Sequence, residues 1–150
     1  MTLNIDEKDL KVLEALQEHS DSTTRQIAKK TLLPATTIHN RIKKLRKEGV
    51  IKRFTIEVNY SKLDKNFRAY ILISANLPVL KAKKKTQYDL AKEIRSFDFV
   101  EKVDIVSGGT DLVAVIRVRD VEEFDKVLLG KLQLIEGIDK TQSLIVLHEK

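Results

Sequence analysis

The chain of 150 residues is predicted to be an α+β protein. A winged helix-turn-helix unit comes first, and a ferredoxin-like βαββαβ domain follows. Three observations carry that expectation. Apolar residues recur at helical spacing up to about residue 53. Beyond about residue 67, β-rich runs and helical stretches follow in the order strand, helix, strand, strand, helix, strand. Basic charge is concentrated on one short helix rather than spread over the chain.

The first helix starts where Asp6 can act as N-cap, with Asp9 adding an acid to the first turn and Ile5 and Leu10 at the positions of a hydrophobic staple. Leu10, Val12, Leu13 and Leu16 supply its apolar face, to about His19. Thr23 and Gln26 form a capping box for the second helix, whose Ile27 and Ala28 face inward. Pro34 cannot continue that helix, and sits just before or at the start of the next. The third helix is expected over roughly Ala35–Lys47, with Ile38, Ile42 and Leu45 as a narrow apolar stripe and Gly49 as its stop. Thr36, Asn40, Lys43 and Lys47 lie opposite that stripe, flanked by Thr37 and Lys44. Val50 to Val58 reads as a strand forming a short wing or linker.

In the second domain Ala69 to Leu77 is expected as a strand, Lys81 to Lys85 as a solvated loop, and Tyr88, Ala91, Ile94 and Phe97 as a helix face. Val100 to Val106 and Asp111 to Val118 are strands joined by Ser107-Gly108-Gly109-Thr110, whose glycines permit the positive φ of a tight hairpin. Asp120 caps a helix with Glu123 as capping-box partner, and Phe124, Val127, Leu128 and Leu132 form its inner face. Gly137 makes a turn, and Thr141 to Leu147 is the last strand. The expected domains are residues 1–53, a linker strand or hinge over 54–66, and residues 67–150. Helices cover one face of such a sheet. The other needs a cover, for which a self-complementary dimer is the simplest solution.

Composition narrows the function. Apolar content of 42% suffices for packed cores, and the absence of cysteine removes disulfides, thiolate metal sites and cysteine nucleophiles. The N-terminus lacks a signal-peptide layout and no run of apolar residues could span a bilayer, so a soluble, cytoplasmic protein with no membrane partner is expected. Net charge is +6. Residues 1–23 carry six acids against Lys8 and Lys11, a net −4, whereas residues 35–53 carry seven bases against Glu48, a net +6. A positive field on one helix suits phosphate binding.

The candidate contacts with double-stranded DNA follow from side-chain chemistry. Thr36, Thr37, Asn40 and Lys44 are candidates for base edges. Arg41, Lys43, Arg46 and Lys47, with Lys52 and Arg53 beyond the helix and Arg25 before it, are candidates for phosphates. His39 flanks the helix, where a phosphate contact and a plain surface role stand side by side. His19, His39 and His148 have no partner at metal-ligand spacing, so neither a metal site nor a cofactor is expected. Gly108, Gly109, Thr110 and Asp111 have two readings, a turn that demands glycine or a loop that holds an amino acid by backbone N–H groups and the Asp111 carboxylate.

A basic helix reading Thr36-Thr37-Ile38-His39-Asn40-Arg41-Ile42-Lys43-Lys44-Leu45-Arg46-Lys47-Glu48-Gly49-Val50-Ile51, followed by a second domain with Ser107-Gly108-Gly109-Thr110-Asp111, resembles the Lrp/AsnC (leucine-responsive, feast/famine) transcription regulators. The resemblance covers essentially the whole chain. It implies a sequence-specific regulator at palindromic promoter sites, a homodimer joined through the second-domain sheet, further assembly up to an octamer, and an amino-acid effector bound near the hairpin. Abundant Lys, Glu and Ile without cysteine fits an archaeal, heat-adapted source. Two segments depart from the family pattern. Leu32 stands where the family usually has glycine in the turn and Pro34 where it has a small polar residue, and Gly109-Thr110 replaces an acid or amide followed by an aromatic. An architectural DNA-binding protein of low specificity is the alternative function. An enzyme on the same two-domain plan is a further one, although no catalytic constellation is present.

Overall fold

The computed structural model describes residues 3–149, which divide into two compact units meeting at Val58 and Asn59. That division lies inside the linker expected over 54–66. Among the described residues, no helix is long and apolar enough to cross a membrane.

The first unit holds three helices: α1 (Glu7–Glu18), α2 (Thr24–Thr31) and α3 (Ala35–Lys47). Asp6 opens α1 by accepting the Asp9 N–H at 2.8 Å, while the Asp9 carboxylate accepts the Asp6 N–H at 3.1 Å. Thr23 and Gln26 cap α2 reciprocally in the same manner. Val12, Ala15, Leu16, Ile27, Ile38 and Leu45 make the core, with Ile5, Leu13, Leu33 and Ile42 packed against it. Each fully buried aliphatic side chain contributes about 1.5–3 kcal/mol. The expected staple is not formed, because Leu10 is 57% exposed. It precedes Val12 by two residues, which puts it about 200° around the helix from the buried stripe.

Gly49 ends α3 with φ +74, and the Ile51 N–H donates to the Leu45 carbonyl at 3.0 Å. The strand expected over Val50–Val58 is absent: the stretch has no ladder partner, and among the described residues its unit holds no strand that could pair with it. The Thr55 carbonyl instead accepts the Ser20 hydroxyl. The linker continues as a 3₁₀ turn over Tyr60–Leu63 rather than as a strand.

The second unit runs β1 (Phe67–Ala75), α4 (Leu77–Ala82), α5 (Gln87–Arg95), β2 (Val100–Ile105), β3 (Leu112–Val118), α6 (Val121–Gly130) and β4 (Ile138–Ile145). Its antiparallel sheet has the order β2-β3-β1-β4, so β1 and β3 are central and β2 and β4 form the edges. Ala69, Ile71, Ile73, Leu112, Ala114, Ile116 and Val118 pack under Leu80, Leu90, Ile94, Phe124 and Val127 from the helices.

Several local expectations need correction. Asn76 accepts the Val79 N–H at 3.1 Å and Pro78 occupies the first turn, so β1 stops at Ala75 and a helix begins. The start of the Lys81–Lys85 run is thus helical, though the whole run remains exposed. Tyr88 is 77% exposed, since Leu90 and Ile94 form the buried stripe of α5. Asp120 caps α6, but the Glu123 carboxylate accepts the Arg119 N–H at 2.7 Å instead of closing a capping box on Asp120. Leu132 is buried from a separate 3₁₀ turn, Leu132–Leu134. Gly108 alone of the hairpin glycines has a positive φ.

The sheet face away from the helices is mixed rather than uniformly apolar. Tyr70, Leu72, Val113, Val115 and Leu144 lie on it beside a charged group at one end. There Arg117 is 7% exposed, pairs with Glu101 and Glu149, and sits 4.1 Å below the Tyr60 ring. Hydrogen bonds that it donates to Glu149 and Glu101 outweigh its burial, so its guanidinium holds its proton more tightly than usual.

Candidate nucleic-acid interface

The apolar stripe of α3 fixes which side chains it can offer. Ile38 and Leu45 are fully buried, so the opposite side of the helix must face outward. Thr36, Asn40, Lys43 and Lys47 are exposed there, as the 3.6-residue period requires. Thr37 is half-buried on one flank, and His39 and Arg46 are exposed on the other. Arg46 lies over the Phe54 ring at 5.7 Å. Arg25 on α2 and Lys52 and Arg53 beyond α3 are also exposed. The unit thus presents one polar, cationic helix side with hydroxyl and amide groups among the charges.

Two candidate contacts have another occupation. Arg41 Nη1 donates to Asp9 Oδ1 at 2.8 Å and also reaches Asp6 Oδ1. Lys44 Nζ donates to Asp9 Oδ2 at 2.9 Å and to the Asn4 carbonyl at 2.8 Å. Both side chains turn toward the start of α1, because they leave α3 on the flank that packs there. Arg41, expected on phosphate, and Lys44, expected on a base edge, are here counter-ions of α1.

Asp9 is the centre of this arrangement and is fully buried. Burial alone pushes its carboxyl up, but hydrogen bonds from Lys44, the Asp6 N–H and Arg41 outweigh it and hold the pKa at about 2. The Arg41 hydrogen bond, helped by the Asp9 N–H, lowers the Asp6 carboxyl. Sequence reasoning placed Asp9 only as a first-turn acid. The opposed net charges of residues 1–23 and 35–53 were the available signal that the two segments pair.

The hairpin residues also divide. Gly108 and Gly109 are exposed. Thr110 Oγ1 donates to the Ile73 carbonyl at 3.0 Å, the Asp111 N–H donates to the same carbonyl, and Asp111 Oδ2 accepts the Ala75 N–H at 2.8 Å. Thr110 and Asp111 thereby staple the loop to the end of β1. One Asp111 oxygen is already used within the chain.

Comparison with known proteins agrees with both halves of this description. Residues 5–52 match the winged helix-turn-helix DNA-binding family, and residues 69–150 match the Lrp/AsnC ligand-binding domain. The HTH-type transcriptional regulator FL11 of Pyrococcus furiosus is 36% identical over 143 residues, 95% of this chain and 89% of its own. The structure of Escherichia coli AsnC superposes with a TM-score of 0.83 at 26% identity, covering 98% of this chain and 95% of that one. A transcriptional regulator from Neisseria meningitidis, solved as a complex with L-methionine, gives a TM-score of 0.87 at 23% identity over 97% of this chain and 92% of its own.

Proposed function

Since the chain belongs to the Lrp/AsnC family of transcription regulators, we propose that it reads a two-fold related pair of DNA half-sites as a dimer. The observation that carries this reading is the outward side of α3, where Thr36 and Asn40 share an exposed face with Lys43 and Lys47. Asn40 pairs with adenine through its amide, and Thr36 offers a hydroxyl or methyl to a neighbouring base. Lys43, Lys47, Arg46, Arg25, Lys52 and Arg53 neutralise phosphates and set the register of the helix in the major groove.

The dimer forms through the open face of the sheet, where Tyr70, Leu72, Val113 and Leu144 provide apolar surface for a second copy. An amino acid modulates the assembly from the hairpin. The exposed backbone at Gly108 and Gly109 suits its carboxylate, and the remaining Asp111 oxygen suits its ammonium group. The protein acts by binding rather than by catalysis, inside the cell.

The test is selection of bound fragments from the source genome at fixed salt, repeated with a mixture of amino acids. The reading requires enrichment of a few fragments that share an inverted repeat, with enrichment altered by at least one amino acid. A ratio of specific to random-sequence binding near one would instead mark an architectural protein. If a dimer neutralises about 6–10 phosphates, affinity falls by about 10³–10⁵ between 50 and 200 mM salt.

A further inference from the structure

The charge on α3 is not all available to a partner. Asp6 and Asp9 together face Arg41 and Lys44, and within this group of four the formal charges cancel. The group is built rather than incidental. Asp9 has no exposed surface, Arg41 is 21% exposed and Lys44 37%, and the two Asp9 oxygens are used separately, Oδ1 by Arg41 and Oδ2 by Lys44. The capping box of α1 fixes where these oxygens stand, because each of the two acids also accepts the other's backbone N–H. Arg41 and Lys44 sit on the α3 flank beside Asn40 and Lys43, and only one or two turns of helix separate them from the proposed base-reading positions.

We propose that Asp9, with Asp6, sets the strength and salt dependence of DNA binding by this regulator: it withholds Arg41 and Lys44 from the phosphates. The inference rests on the reading of α3 as a DNA-reading helix. Its physical basis is that phosphate neutralisation strengthens binding to every sequence alike, whereas base contacts strengthen binding only to the right one. Two further cations on the flank of α3 would raise affinity for the specific site and for random DNA together, and make both more sensitive to salt. Asp9 keeps the helix basic enough to approach DNA, and its surplus charge is spent inside the fold. The same contacts hold α3 against α1, so the helix is presented in one orientation.

The experiment measures the full-length chain on its selected site and on random-sequence DNA of equal length, over a salt series, for the parent, Asp9→Asn and Asp6→Asn. Asparagine keeps hydrogen-bonding capacity in both places and is a good N-cap, so Asp6→Asn remains informative even where Asp9→Asn fails to fold. The expected result is tighter binding to both DNAs by a similar factor of about 3–10, and a salt slope steeper by about 0.9 for each cation released. A parallel loss of affinity for both DNAs with an unchanged slope would show Asp9 to be a packing residue only and would overturn the inference. An unchanged slope in a folded variant would also overturn it. If the parent chain binds neither DNA at any salt, the functional reading itself falls and the inference falls with it.

Discussion

The Asp111 carboxylate accepts the Ala75 N–H at 2.8 Å, joining the end of the β2–β3 hairpin to the point where β1 gives way to α4. Thr110 and the Asp111 N–H bind the Ile73 carbonyl one step earlier, so the loop is anchored at two successive places along β1. An amino acid bound at this loop would act on the strand that also carries Tyr70 and Leu72 on the open sheet face. The hairpin and the proposed dimer surface thus share one strand, which gives an effector a physical route to assembly.

Asp111→Ala leaves the Ala75 N–H without its partner and is expected to cost about 1–3 kcal/mol of stability. Asp111→Asn keeps an acceptor and should lose less. Denaturant unfolding of both variants checks the order, and an alanine variant as stable as the parent would remove the structural role of this carboxylate.

Leu32 closes α2 at φ 59 while 89% exposed, a conformation and a setting that both disfavour leucine. Glycine relieves the left-handed strain of about 1–2 kcal/mol but loses part of it to backbone entropy. Leu32→Gly is therefore expected to stabilise the helical unit by about 0.5–1 kcal/mol, read as a rise in its unfolding midpoint. A lower midpoint would show that the Leu32 side chain contributes more than its exposure suggests.

Acid should weaken the helical unit through Asp9. Its carboxyl ionises at about 2 in the folded chain against an ordinary value of 3.8. The group favours the folded state fully above about pH 4, and that contribution fades as pH falls through about 2. Thermal midpoints measured from about pH 5 downward should therefore fall for the parent. Asp9→Asn should start lower and show a smaller decline over the same window. An identical decline in both proteins would assign the acid sensitivity to other carboxylates of this unit, such as Asp6, which the Arg41 hydrogen bond also lowers.

Ile38 is fully buried on the inner side of α3. Ile38→Ala is expected to cost about 2–5 kcal/mol, a large share of what so small a unit has. DNA binding should be lost, while the second unit, which has its own core, should keep its unfolding transition. Loss of both transitions together would mean that the two units unfold as one.

Much of this architecture was legible in the sequence because local chemistry and global fold agree. The bounds of α3 follow from Pro34, the Ile38–Ile42–Leu45 stripe and Gly49, and the structure places that helix over Ala35–Lys47 as expected. The caps at Asp6, Thr23 and Asp120 were readable for the same reason. The expectations that did not hold depend on partners distant in the chain. Val50–Val58 has the composition of a strand, but no neighbouring strand is present in its unit to pair with it. The pairing of Arg41 and Lys44 with a carboxylate over 30 residues earlier was likewise not legible from the spacing within α3. Glu123 has capping-box spacing, but the Arg119 N–H competes successfully for its carboxylate. The Lys81–Lys85 run hid a short helix because Asn76 and Pro78, which start it, lie before the run.

The most direct test of the account concerns Asn40 and Lys47, about two turns of helix apart on the outward side of α3. Binding of the full chain to its selected site, to single-base variants of that site and to random DNA is measured for Asn40→Ala and Lys47→Ala. The account predicts that Asn40→Ala loses about 1–3 kcal/mol of discrimination at one base position. Lys47→Ala should weaken binding to all sequences alike and reduce the salt slope by about 1 per site. The reverse pattern, with discrimination lost at Lys47 and uniform weakening at Asn40, would contradict the placement of α3 in the groove.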